Sequence, residues 1–134
     1  MQISTHFRYA TRMLVELSKQ EKDVPVSLKK ISNSQELPIK FIEQLISKLK
    51  KAGIVKSFRG KNGGYILNKS SEKITLKDLF FILEPKSTII ECLKKPKSCK
   101  NSKKCVTLPV WSGLQNVIIE YFAGITIADL AADK

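Results

Sequence analysis

The sequence predicts a mainly α-helical protein with one small β-hairpin: a winged helix-turn-helix followed by a long C-terminal helix. Three observations predict it. Two stretches of helix-period apolar residues between positions 27 and 52 are separated by a short turn. A basic, glycine-tipped hairpin pattern, IVKSFRGKNGGYILNK, follows at once. A strongly apolar helical stretch then comes after a lysine-rich segment holding all three cysteines.

The elements follow in chain order. Phe7, Ala10, Leu14 and Leu17, widened by Met13, recur at spacings of three and four and predict a helix over 5–20, with Ser4 or Thr5 as its cap. After the loop EKDVPV, Ser27 reads as the N-cap of a short helix carrying Leu28 and Ile31. A turn from Asn33 to Leu37 leads to Pro38, suited to the first turn of a new helix. Ile42, Leu45, Ile46 and Leu49 give that second helix, about 38–52, one apolar face, and Gly53 ends it as a C′ residue. Two β-prone runs, Ile54–Phe58 and Tyr65–Leu67, flank a loop from Gly60 to Gly64.

Thr75 and Asp78 resemble a capping box, with Ile74 and Leu79 as a hydrophobic staple. Leu76, Leu79, Phe80 and Leu83 form the buried face of this helix, and Pro85 ends it. Residues 86–106 show no apolar periodicity, so this stretch reads as a long functional loop. The last long helix begins near Thr107, with Pro109 tolerated in its first turn. Val110, Leu114, Val117, Ile118, Tyr121 and Phe122 form one stripe, and Trp111 and Ile119 add apolar surface outside it. That exceeds what one amphipathic face requires, so the helix is expected to pack on its own domain and on a second subunit. Gly124 ends it, and Thr126 with Asp129 starts a short final helix. The organisation expected is one compact domain in three parts: 1–84, the winged helix-turn-helix; 85–106, the cysteine loop; 107–134, the dimerisation helix and C-terminal segment.

Charge narrows the partner. The chain has 134 residues and a formal net charge of +12. Residues 1–69 carry 14 Lys and Arg against 5 Asp and Glu, and 86–105 carry 7 Lys against 1 Glu, whereas 106–134 carry 1 Lys against 3 acids. An anionic partner is expected, nucleic acid before membrane, with the C-terminal end turned away from it. No apolar run approaches the ~18–20 residues of a membrane span. The N-terminus shows no basic region followed by an apolar run, so a cytoplasmic protein is expected.

The second helix of the helix-turn-helix presents Lys40, Glu43, Gln44 and Ser47 away from its apolar face. Lysine reaches phosphates or guanine edges, glutamine pairs with adenine, and glutamate accepts from cytosine N4. An ordinary helical hairpin with solvated charges would look similar. The adjoining wing favours DNA: Arg59, Gly60 and Lys61 make a thin cationic tip that fits a minor groove or a phosphate ridge. The GKNGG run lacks the spacing and the strand-to-helix setting of a nucleotide-phosphate loop. His6 is the lone histidine, read as a surface residue, and no catalytic set assembles around it, so no enzyme is expected.

The cysteines Cys92, Cys99 and Cys105 are spaced by six and five residues among lysines, which favour thiolates. Three is an odd number, so they cannot all close into intrachain disulfides. Soft thiolates suit an iron–sulfur cluster, zinc or copper(I), and free thiols suit redox sensing. The missing CxxC pair counts against a zinc knuckle, and the loose spacing suits a bulkier cluster.

With these residues in hand, the chain resembles the Rrf-two family of bacterial winged-helix transcription regulators. The matching stretches are RYATRML, FIEQLISKLKKAGIVKSFRGKNGGY, KCVTLPVW and ITIADLA. The resemblance implies a homodimer joined through the long C-terminal helix and bound to a near-palindromic double-stranded DNA operator. It implies that Glu43 and Gln44 face bases and that Arg59 and Gly60 lie at the wing. It also implies that Cys92, Cys99 and Cys105 ligate an iron–sulfur cluster, with the two-iron form favoured. Cluster-binding branches of the family take a further ligand from a histidine three residues past the last cysteine, or from a carboxylate in the partner's first helix. Here those positions hold Leu108 and Arg8. The expected function is a repressor whose operator affinity follows the state of the cluster. The alternative is a regulator of the same fold that senses through free thiols or a partner protein. A small basic RNA-binding protein is the reading from another class.

Overall fold

The structure is a computed structural model. It describes residues 3–85, 91–95, 97, 99–101 and 103–132, the side chains of Glu91 and Cys92 excepted.

Helix α1, Thr5–Ser18, is capped by Ser4, whose hydroxyl accepts from the Phe7 N–H. It ends two residues earlier than its apolar pattern predicts. Its stripe of Phe7, Ala10, Met13, Leu14 and Leu17 is buried. Helix α2, Leu28–Gln35, starts at Ser27, whose hydroxyl accepts from the Lys30 N–H. Glu36, in the left-handed conformation at φ 55°, turns the chain out of it. Helix α3, Ile39–Lys51, buries Ile42, Leu45, Ile46 and Leu49. Pro38 sits at its N-cap rather than in its first turn. The reason is geometric: its ψ of 141° is extended, and only its carbonyl serves the helix, accepting from the Phe41 and Ile42 N–H groups. Gly53, at φ 78°, closes the helix as expected.

The hairpin pairs β1, Val55–Phe58, with β2, Gly64–Leu67, in antiparallel register from Val55 opposite Leu67 to Phe58 opposite Gly64. Val26 adds a bridge to Tyr65, with N–H···O distances of 3.0 and 2.9 Å in the two directions. The wing is thereby tied to the segment entering α2. Gly64 makes that approach possible: its φ is 155°, and a Cβ there would lie 2.4 Å from the Val26 carbonyl oxygen.

A 3-10 turn, Ser71–Lys73, precedes helix α4, Leu76–Leu83. Both bonds of the Thr75–Asp78 capping box form. Phe80 is half-buried rather than buried as expected: it lies in an aromatic cluster with Phe7 and Phe122, on the side covered by α6, none of whose residues is buried. The cysteine loop, expected to lack regular structure, contains a one-turn helix α5, Glu91–Lys94. It rests on helix α6, Leu108–Ala123, with half-buried Leu93 as its apolar residue.

Helix α6 splits its stripe: Ile118 and Phe122, with Ile119 from outside it, are half-buried, and Phe122 packs on the core, while Val110, Leu114, Val117 and Tyr121 stand 43–67 % exposed. None of its residues is buried. Helix α7, Ile127–Ala132, returns to α1 and places Ile127 in the core. Thr126 and Asp129 form a second reciprocal capping box. Thr75 and Thr126, the two caps, pair as an antiparallel bridge, so α4 and α7 begin side by side. No helix among the described residues is long and apolar enough to cross a membrane.

Candidate nucleic-acid interface and cysteine loop

The burial of Ile42, Leu45, Ile46 and Leu49 decides which side of α3 is free. At 100° per residue, Lys40, Glu43, Gln44 and Ser47 fall on the opposite side, and all four are exposed. Lys48, Lys50 and Lys51, in the last turn, are exposed too. They add favourable charge at the helix C-terminus and extend the cationic surface toward the hairpin. The expected interface left them out, although their charge was there to be read.

The wing leaves directly from that end, and α3 packs on β1. Arg59, Gly60 and Lys61 are exposed at its tip, where the Gly63 N–H donates to the Gly60 carbonyl at 3.0 Å. A Cβ at Gly63 would meet the Phe58 carbonyl oxygen at 2.3 Å. The tip is thus narrow because its glycines let backbone approach backbone. A second cationic edge was not singled out from sequence. Lys29 and Lys30, in the first turn of α2, line an open depression with Ser27, Asn33 and Ser34.

His6 is half-buried, not a plain surface residue: its ring lies against Phe41, tilted by 43°, with centroids 5.0 Å apart. Tyr9 meets Phe41 edge-on at 5.9 Å. The start of α1 is thereby packed against the start of α3.

Of the cysteines, Cys99 and Cys105 are free thiols, each partly exposed. The side chain of Cys92 lies outside the described residues. Cys105 immediately precedes α6, with its Sγ 3.3 Å from Thr107 Oγ1. The Thr107 hydroxyl, then the backbone N–H groups of Thr107 and Leu108, hold this thiol below its ordinary pKa. Hydrogen bonds to the charged form favour it, so the thiolate is more accessible here than in an ordinary cysteine. As donor chemistry that fits a soft metal centre: an accessible, acidified sulfur on the edge of a lysine-rich loop. Among the described residues, no three His, Cys, Asp or Glu side chains gather as a metal site.

The cysteine loop is mechanically connected. α5, which contains Cys92, packs on α6; α6 packs on α4; and α4 packs on α3. A change of order at the cysteines therefore has a contiguous packed route to the exposed face of α3.

Comparison with known proteins agrees with this architecture. The family model described as Rrf2, iron-dependent transcriptional regulator, matches residues 3–133. Protein rrf2 of Nitratidesulfovibrio vulgaris is 33% identical over 133 residues, covering 99% of this chain and 89% of that protein. The solved structure of T. potens IscR superposes with a TM-score of 0.80 at 34% identity, covering 99% of this chain and 88% of that one. The structure described as CymR, the global cysteine regulator of B. subtilis, superposes at 0.81 with 33% identity, covering 100% and 98%.

Proposed function

Because this chain belongs to the Rrf2 family of transcriptional regulators, we propose that it is a homodimeric repressor whose grip on a near-palindromic DNA operator is set by an iron–sulfur cluster held by Cys92, Cys99 and Cys105. The observation that carries the reading is the packed route from α5 through α6 and α4 to α3.

The residues divide the work. Glu43 and Gln44 read base edges from the N-terminal half of α3, where such contacts concentrate. Lys40 and Ser47 hold phosphate or neighbouring bases beside them. Arg59, Gly60 and Lys61 place the wing on the adjacent minor groove or backbone. Val110, Leu114, Val117 and Tyr121, spaced by four, three and four along α6, form the seam between two copies. This spacing and the exposure of these residues support the dimer. Cys105, whose thiol is held below its ordinary pKa by the Thr107 hydroxyl and the Thr107 and Leu108 N–H groups, gives up its proton to a metal more readily than an ordinary cysteine. When bound, the cluster supplies redox-sensitive order and negative charge in the loop. Three thiolates leave a coordination position to another donor, since Leu108 and Arg8 provide none of the family's further ligands. A coupling of ~1–3 kcal/mol between loop and DNA face changes operator affinity five- to 150-fold.

A second reading has one observation of its own. The acidified Cys105 thiol is also a good nucleophile, which supports sensing by free thiols in a regulator without a cluster.

The deciding experiment is iron and acid-labile sulfide content with a visible spectrum, on protein purified without oxygen. The same samples are titrated with operator DNA selected from random sequence. Near-stoichiometric iron and sulfide, lost in Cys99→Ala together with cluster-dependent affinity, is the expected result. Iron-free protein after reconstitution, with affinity that responds to oxidant, would replace the cluster by the thiol reading.

A further inference from the structure

The wing carries one large apolar side chain that its cationic tip does not account for. The hairpin has two faces. Val55, Tyr65 and Leu67 pack on the core from one of them. Successive strand residues point to opposite faces, and residues paired across a ladder share one. Lys56, Phe58 and Ile66 therefore lie on the other face, away from the core. Ile66 is buried there, whereas Phe58, the last residue of β1 and the neighbour of Arg59, is 44 % exposed.

Scattered exposed apolar residues are ordinary on a protein surface. Phe58 differs in how it is kept bare. Its partner across the ladder is Gly64, which has no side chain to cover the ring. The wing needs a glycine there, because a Cβ would lie 2.4 Å from the Val26 carbonyl oxygen. The Lys56 ammonium lies over the ring, 5.7 Å from its centroid, which restrains the ring from that side. The backbone that carries the ring is also the backbone that narrows the tip, since a Cβ at Gly63 would meet the Phe58 carbonyl oxygen at 2.3 Å. Beyond it Arg59 and Lys61 are exposed. One bare ring is thus set between cations. Such an arrangement suits a surface whose apolar part is edged by anions. The DNA minor groove is one: about 6 Å wide, walled by the C–H faces of deoxyribose and rimmed by phosphates.

We propose that Phe58 is a DNA-contacting residue, its ring packed on the deoxyribose wall of the minor groove into which Arg59 reaches. The inference rests on the operator-binding reading above and adds to it an apolar contact that sets how deep the tip sits. Burying a ring releases no counterions, so this contact contributes affinity that added salt does not remove.

The test uses one duplex selected from random DNA by the wild-type protein, with binding followed by fluorescence anisotropy across a range of salt concentrations. Phe58→Ser is expected to bind roughly tenfold more weakly at every salt concentration, with an unchanged slope of log K against log salt. Arg59→Ala, by contrast, should lose about 0.9 of a unit of slope. Phe58→Leu, which keeps an apolar side chain, should recover most of the affinity. Hydroxyl-radical footprinting reads the sugars themselves. The wild type should protect deoxyribose where the wing lies, and Phe58→Ser should lose that protection while the rest of the footprint persists. Unchanged affinity and sugar protection in Phe58→Ser overturn the contact. So does an altered salt slope in Phe58→Ser, since the ring would then only shape the cationic tip. A Phe58→Ser protein that sediments as a different oligomer from the wild type also overturns it, since the ring would then serve contacts between copies. A wild-type protein that selects no duplex overturns the operator reading and this contact with it, a result distinguishable from a variant that binds as well as the wild type.

Discussion

The winged part of the molecule and its C-terminal helix are built to opposite standards. From α1 to α4 the apolar residues close over one another: Ala10, Met13, Leu14, Ile31, Ile42, Leu45, Leu49, Ile74 and Leu79 have no exposed surface. The helix starts there are satisfied by Ser4, Ser27 and the Thr75–Asp78 pair. α6 is more apolar than α1, α2 or α3, yet none of its residues is buried. One region is closed by its own sequence, whereas the other leaves an apolar face open, the face proposed above as the seam between two copies. The lesson is that apolar content does not locate a core: the winged part buries it, and α6 leaves much of it exposed.

That contrast can be broken or sharpened by substitution. The largest effect is expected in the closed region. Leu79→Ala leaves a cavity under α1 and α3 and should lower unfolding free energy by about 2–5 kcal/mol in urea titration. A cost under about 1 kcal/mol would mean the core is looser than its burial indicates. Gly64→Val comes next, at about 1–3 kcal/mol, because a side chain must take a left-handed φ and displace the Val26 carbonyl. Wing amides should exchange hydrogen faster in this variant, and unaltered exchange would show that the bridge is dispensable.

In the open region Val117→Asp should leave the monomer's stability within about 0.5 kcal/mol, because the site is 61 % exposed. Sedimentation should nevertheless shift from dimer to monomer. A dimer that survives would place the subunit contact elsewhere. The smallest effect is chemical. Thr107→Val removes the first of the groups that favour the Cys105 thiolate. The thiol is held below its ordinary pKa, so the thiolate now persists to lower pH. Without the hydroxyl the midpoint of iodoacetamide alkylation at Cys105, followed by peptide mass spectrometry on metal-free protein, should move up. A fixed midpoint would leave the backbone N–H groups as the cause.

Much of this was readable from local patterns. Ser27, Thr75 with Asp78, Gly53 and Thr126 with Asp129 act over three or four residues, so their spacing alone placed the helix ends. The exposed side of α3 followed from its buried stripe in the same way. Features made by distant partners were not readable. The Val26–Tyr65 bridge joins residues 39 apart in sequence, and no pattern around Val26 announces it. Phe80 scored as core by periodicity, but its fate depends on Phe7 and Phe122 arriving from either end of the chain. α5 was missed because a single turn has no periodicity to detect. The thiols were found by spacing, yet the environment of Cys105 comes from Thr107 and Leu108 at the helix start, which spacing does not weigh. Cys92 remains a sequence expectation, its side chain being outside the described residues.

The bridge between Thr75 and Thr126 has a consequence for when the protein becomes competent. It joins two residues 51 apart, and beside it the Leu76 N–H donates to the Ile125 carbonyl and the Ile127 N–H to that of Ile74, each at 2.9 Å. Ile127 then fills the space under α1. A nascent chain therefore emerges with α3 long before this clasp exists. Closing so long a loop costs entropy that only the finished clasp repays. A growing or truncated chain lacking residues 125–127 leaves the Leu76 N–H and the Ile74 carbonyl at the start of α4 without these partners. If α3 reads DNA and α6 joins two copies, as proposed above, the order of synthesis delays a firm hold on DNA until α6 has been made.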